Sequence, residues 1–207
     1  MPRKSKYEGG TKNKLVEVAT KLFFEKGFDG TSVREIVRAA GCEVGLFYYY
    51  YKTKDDLFGD VLDNFFAPYK KDFENLVLQA KENHERALFR FFAYVKKEVR
   101  NFREKYAKNM HRTVRWAIRE QTLTLIEPYI ERILEILIEN GAKPIMSPQI
   151  AAVFIAHGVG STILHEDADW TDEATDGIRK AVNLITGLSK EDVQNMFGEK
   201  KNKIAEK

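Results

Sequence analysis

The side chains of this chain best equipped for chemistry sit in one short stretch, "GCEVGLFYYYYKTKDDLF", at residues 41–58. Tyr48, Tyr49, Tyr50 and Tyr51 are consecutive, and Lys52 and Lys54 follow them. Phenolic hydroxyls beside ammonium groups suit non-covalent recognition of an anion. A tyrosine hydroxyl donates to a phosphate oxygen while its ring packs on a sugar or a methyl group, and a lysine supplies charge. On a helix, four consecutive residues span more than one turn, so they cannot share one buried face. At least two tyrosines must therefore point outward, next to the lysines.

Covalent chemistry finds no comparable set. His84, His111, His157 and His165 are scattered and lack the HExxH spacing of a zinc protease. The stretch "HGVGST" at 157–162 has glycines, but no strand precedes it and it lacks the lysine of a phosphate-binding loop. Cys42 is the single cysteine, which leaves no intrachain disulfide and no cysteine cluster for a metal. Its neighbour Glu43 does not favour a thiolate, so a small packed side chain is expected there. No catalytic residue, metal site or cofactor is expected.

The elements that must position the tyrosines read as helices throughout. Leu15, Val18, Ala19, Leu22 and Phe23 form a core-facing stripe on a first helix, from about Thr11 to a stop at Gly27. Ser32 with Glu35 makes a capping box ahead of a short second helix carrying Val33, Ile36, Val37 and Ala40, which ends at Gly41. A third short helix spans Glu43 to Tyr50. Thr53 caps a fourth, with Asp55 and Asp56 in its first turn and a kink or end expected at Pro68. Two short helices joined by a tight glycine turn, after a longer supporting helix, match a helix-turn-helix. In that arrangement the second helix of the pair enters a DNA major groove. Phe47 and Tyr51, four apart, can face the small core, leaving Glu43, Val44, Leu46, Tyr49 and Tyr50 outward with Tyr48 at the border. Lys54 joins free backbone amides at a helix start, a favourable phosphate site.

Composition agrees with a globular helical protein. The chain has 207 residues, 43% hydrophobic and 31% charged, enough for one large domain or a small module joined to a larger one. No apolar run approaches the length of a membrane span, and the polar, basic N-terminus is not a secretory signal, so a cytoplasmic protein without membrane association is expected. The net charge of +3 is carried entirely by residues 1–58, with 11 Lys and Arg against 8 Asp and Glu; the remainder is balanced at 23 of each. That bias is compatible with a polyanion partner but equally with a solvated helical surface.

The segment "TSVREIVRAAGCEVGLFYYYYKTKDDL", with the preceding "KLVEVATKLFFEKGFDGTS", resembles the DNA-binding part of the TetR family of bacterial regulators over roughly residues 11–60. The resemblance implies an all-α homodimer with an N-terminal three-helix DNA-binding domain at 8–68 and a larger helical ligand-binding and dimerisation domain at 69–207. It implies phosphate contacts from Ser32, Tyr50 and Lys54, and base-edge contacts from Arg34, Val44, Leu46, Tyr48 and Tyr49. The chain departs from the family in carrying Glu43 and Val44 after the turn, where Ser then Lys or Arg is frequent. Leu46 stands where Thr or Ala is usual. Base reading is then expected to lean on apolar contact with thymine methyls, favouring an operator of A·T-rich character.

Past residue 60 the sequence offers bulk rather than motif. Phe65, Phe66, Tyr69, Phe89, Phe92, Phe102, Tyr106 and Trp116 exceed what simple helix packing needs. Most belong to a core, and some are expected to line a cavity for an apolar or aromatic effector. Phe66, Phe89, Phe92, His111, Trp116 and Gln121 are the candidates, with Arg115 and His157 as further polar possibilities. Long helices are expected at about Glu85–Tyr106, Met110–Arg119 and Thr122–Asn140, with Pro128 a possible break. Ser147 and Pro148 open "SPQIAAVFIAHGVGSTIL", where Ala151, Ala152, Ala156, Gly158, Gly160 and Ser161 allow close helix approach. With "IRKAVNLITGL" that helix could build a four-helix bundle across a two-fold axis, or an ordinary pair inside one subunit. A last helical turn is expected at Lys190–Phe197. The competing function is a non-catalytic helical adaptor that uses the tyrosine face to bind protein.

Overall fold

The computed structural model describes residues 10–106, 109–165 and 172–188. Every regular element among them is a helix: α1 Gly10–Lys26, α2 Val33–Ala40, α3 Val44–Tyr50, α4 Lys54–Glu82, α5 Ala87–Tyr106, α6 Arg112–Glu139, α7 Pro148–Ile155, α8 Ser161–Leu164 and α9 Asp172–Thr186. A π-helical turn, Ala156–Gly160, joins α7 to α8. The chain forms two compact units, Met1–Lys70 with Glu104–Arg119, and Lys71–Arg103 with Glu120–Lys207.

In the first unit the apolar stripe of α1 buries Leu15, Ala19 and Phe23, while Val18 and Leu22 are half-buried at its edges. Phe23, Phe28 and Phe58 close a ring cluster with centroids 5.2–5.6 Å apart. α1 stops at Gly27, whose φ of +78° is costly for any residue with a Cβ. The same glycine leaves room for His111, whose Nδ1 would lie 2.3 Å from an added Cβ. The His111 amide donates to the Phe24 carbonyl at 2.6 Å, satisfying one orphan carbonyl of the α1 C-terminus.

α2 begins as its sequence requires, with Ser32 Oγ accepting from the Glu35 amide at 3.2 Å. The Lys26 ammonium, bonded to the Glu35 carboxylate, holds that acid below its ordinary range, and the Ser32 amide adds to the effect. The helix ends on Gly41 at φ +65°, with Gly41 N–H donating to Arg38 O and Cys42 N–H to Val37 O, a left-handed cap that turns the chain into α3. α4 opens with a reciprocal pair: the Asp56 amide donates to Thr53 Oγ1 at 3.1 Å and the Thr53 amide to Asp56 Oδ2 at 2.8 Å.

Neither Pro68 nor Pro128 ends its helix. α4 runs through Pro68, and α6 continues through 119–122 and Pro128 as one helix. Proline inside a helix costs about 3 kcal/mol, but burial of one large apolar side chain returns about 1.5–3 kcal/mol. Phe66, Phe73 and Val77 on α4, and Ile126, Ile130, Ile133 and Leu134 on α6, are all buried around those prolines. Both proline rings are exposed, so neither disturbs the packed face.

The second unit is centred on Phe73, whose ring meets Phe91 at 5.1 Å and Tyr129 at 5.2 Å. Ser147 Oγ accepts from the Ile150 amide, and Pro148 occupies the first turn of α7. Ala151, Ala152, Ala156 and Gly160 are buried within the chain itself. A Cβ on Gly160 would come within 3.2 Å of Ile126 and Leu123 of α6, so this glycine permits an intrachain approach. Gly158 is exposed. The expected turn at Lys190–Phe197 lies outside the described residues.

Candidate nucleic-acid interface and ligand cavity

The tyrosine run divides between inside and outside, but Tyr48, expected at the border, is outward and Tyr50, expected outward, is half-buried. Phe47 is fully buried and Tyr51 nearly so, whereas Tyr48 is 58% and Tyr49 78% exposed. The Tyr51 hydroxyl donates to Asp60 Oδ2 at 2.8 Å, and the Lys12 ammonium reaches the same carboxylate at 2.7 Å. Burial first, then the Asp60 bond, push the Tyr51 phenol well above its ordinary range. Lys12 first, with Tyr51 adding, holds the Asp60 carboxyl below its own. One tyrosine thus fastens α3 to α1 and α4, and its neighbours are left for a partner.

The other expected contacts on α2, α3 and the segments that flank them differ in exposure. Ser32, Arg34, Val44 and Lys52 are exposed, and Leu46 and Tyr50 half-buried. Tyr50 packs edge-on against Tyr49 with centroids 4.9 Å apart, which stiffens the outermost ring. Lys54 is placed differently from the other expected contacts. Its ammonium donates to the Phe28 carbonyl at 2.7 Å and the Thr31 carbonyl at 3.0 Å, and it lies 4.0 Å over the Phe28 ring. It therefore pins the loop before α2. The sequence shows its charge but not these carbonyls, which only the fold brings to it.

In the second unit a cavity of about 660 Å³ opens between α5, the α7–α8 segment and α9. Its volume is that of a site for a drug-sized molecule. Phe89 and Phe92, two of the six sequence candidates, line it together with Leu88, Val99, Ile163 and Val182. The other four candidates are not among its lining residues. Phe66 is buried in the first unit, its ring against Phe65 and Tyr69. Exposed His111 shares Nδ1 with Thr113 Oγ1 at 2.9 Å. Trp116 is exposed with the Arg112 guanidinium 4.6 Å from its ring, and Gln121 is exposed.

Sequence reasoning missed the cationic part of the wall: Lys96, Lys97, Arg100 and Arg103 of α5 with Arg179 of α9. The spacing of Lys96, Arg100 and Arg103 continues the stripe of Phe89 and Phe92, a signal that was available in the sequence. Among the described residues no group of His, Cys, Asp and Glu is arranged to hold a metal ion, and no helix is long and apolar enough to cross a membrane. Cys42 is partly buried, which raises its thiol pKa above the ordinary value.

Comparison with known proteins connects this geometry to a family. Residues 15–61 match the family described as bacterial regulatory proteins, TetR family. The chain is 31% identical over 144 residues to the probable HTH-type transcriptional regulator YttP of Bacillus subtilis, covering 64% of this chain and 65% of that protein. It is 32% identical over 81 residues to the HTH-type transcriptional repressor DhaR of a Mycobacterium species, covering 39% and 41%. The chain thus spans less than two thirds of the length of either relative. In fold it is similar to RolR, solved with resorcinol, at a TM-score of 0.61 and 18% identity over 91% of this chain and 94% of that one. The matched segment is the one that holds the left-handed turn at Gly41 and the outward tyrosines, and over it the chain is similar to the TetR family of bacterial regulatory proteins.

Proposed function

We propose that this chain is a transcriptional regulator, a repressor that binds a palindromic DNA operator as a homodimer and is released by a small molecule. Residues 8–68 are the DNA-binding domain in this reading, and 69–207 bind the effector and the second subunit. The observation that carries it is the outward presentation of Tyr48 and Tyr49 on a seven-residue helix held by its buried neighbours Phe47 and Tyr51. Aromatic hydroxyl groups, with Ser32 and Arg34 also exposed, suit phosphate oxygens and the edges of bases. YttP and DhaR, to which the chain is similar, are named as a probable transcriptional regulator and a transcriptional repressor.

The homodimer is supported by an apolar face of α7. Ile150, Val153 and Phe154 are exposed at helical spacing, as is Leu184 on α9. Large apolar side chains grouped on one helix face signal an interaction surface. A two-fold axis through such a face would present two copies of α3 to half-sites about 34–36 Å apart. The cavity supports the effector: α4 and α5 each contribute residues to both units, so a covalent path runs from one to the other. An effector that favours one state of the chain by about 1–3 kcal/mol weakens operator binding roughly 5–150-fold.

Selection of genomic DNA fragments by the purified protein at moderate salt tests the reading. A sharp inverted repeat, bound with an affinity that falls steeply as salt rises, is the expected result. Absence of enrichment over input would sink it and favour a protein partner for the tyrosine face.

A further inference from the structure

The cavity of the second unit is chemically polarised along α5, and that polarity specifies a class of ligand. From Phe89 to Arg103 the lining stripe of α5 covers fifteen residues, or roughly 21 Å of helix. The first part of the stripe is apolar, with Leu88, Phe89, Phe92 and Ala93; the second is cationic, with Lys96, Lys97, Arg100 and Arg103. Arg179 of α9 adds a further cation, and among the described residues the lining contains no carboxylate.

Some of this charge is already engaged. Asp176 pairs with Arg179. Arg103 Nη2 donates to the His165 carbonyl at 2.7 Å and weakly to the Ile163 carbonyl, which fixes the guanidinium at the cavity wall. Lys97 stands 3.9 Å from Glu98, a loose pair. Like charges gathered along one helix face at this spacing repel one another and destabilise the helix. A cavity that keeps them facing apolar walls is complementary to a ligand that is apolar at one end and negatively charged at the other.

The geometry points to an amphipathic anion as the cavity's ligand, an elongated molecule whose apolar body lies along Phe89 and Phe92 and whose anionic head meets Arg100 and Arg103. This rests on reading the cavity as the effector site, and it narrows that site from any apolar or aromatic molecule to a carboxylate or related anion with a hydrocarbon tail. A cationic amphiphile of the same length is disfavoured by the same groups.

Calorimetric titration of the full chain, without DNA, tests the assignment with three probes of equal chain length: dodecanoate, dodecanol and dodecyltrimethylammonium. Charge-assisted hydrogen bonds predict that dodecanoate binds at least about tenfold tighter than dodecanol. They also predict that the advantage shrinks as salt rises. Arg100 is exposed at the cavity rim, so Arg100→Glu is expected to keep the melting temperature while abolishing the preference for the anion, and Arg100→Lys to retain most of it. Equal or tighter binding of the ammonium probe, no binding of any probe, or an unchanged anion preference in Arg100→Glu would each overturn the assignment. Fragment selection with genomic DNA reads the regulator proposal separately. A chain that discriminates for dodecanoate but enriches no operator retains this ligand class and loses that function; one that enriches an operator but ignores the anion does the reverse.

Discussion

At the residue scale, tyrosines of one four-residue run do opposite work. Tyr48 and Tyr49 are presented to solvent, and Tyr51 is sealed against α4. Tyr49→Ala is expected to weaken operator binding about tenfold, as loss of a group on the bound surface does, while leaving stability within about 0.5 kcal/mol. Parallel binding and melting measurements check it; unaltered affinity would remove Tyr49 from the interface. Tyr51→Phe should behave in the opposite way, costing about 1–2 kcal/mol through the lost bond to Asp60. Acid should reveal the same network. Because Lys12 and Tyr51 hold the Asp60 carboxyl below its ordinary value, its contribution is fully present above the unfolded-state pKa. It is lost as pH falls below about 3.9 through the folded value. The stability difference between the natural chain and Asp60→Asn should therefore be largest near neutrality and shrink as acid protonates the folded carboxyl. A difference that persists unchanged in acid would mean the carboxylate contributes nothing through its charge. The residue-level division was legible in the sequence because Phe47 and Tyr51 lie four apart. The partners of Lys54 were not, since Phe28 and Thr31 reach it only through the packed loop.

At the element scale, the caps behaved as local rules and the prolines did not. Ser32, Thr53 and Ser147 each accept an amide at a helix start, and Gly27, Gly41 and Gly187 take positive φ near helix ends. Such features depend on a few adjacent residues, and the sequence shows them directly. Pro68 suggests a kink or an end and Pro128 a possible break for the same local reason, yet α4 and α6 continue, because buried side chains on both sides outweigh a lost hydrogen bond. Pro68→Ala restores an amide donor on the exposed side of α4 and should stabilise the protein by about 1–3 kcal/mol. Denaturant unfolding measures it. A neutral or destabilising result would mean that the proline is accommodated in a bend that the packing of α4 requires.

At the scale of the whole molecule, the small residues of "IAAVFIAHGVGST" carry a different role from the one their composition suggests. Ala151, Ala152, Ala156 and Gly160 admit the chain's own helices, and it is the large side chains Ile150, Val153 and Phe154 that remain outward. If that face joins two subunits, Phe154→Asp buries a charge in the contact and should convert the protein to a monomer at micromolar concentration. Light scattering with circular dichroism separates the outcomes: a folded monomer supports the face as the dimer contact, and an unchanged dimer moves that contact elsewhere. A monomeric variant should also lose most of its operator affinity, since each half-site would then be bound alone.

Helical class, the glycine turn and the inward–outward split of the tyrosine run follow from the sequence alone, because each is set by spacing along the chain and by side-chain size. The ligand cavity was a matter for tertiary structure. Its wall draws on α5, α8 and α9, and whether Phe89 or Phe66 borders empty space depends on what lies opposite, which no single helix encodes. The same holds for Lys54, whose charge the sequence shows and whose partners only folding supplies.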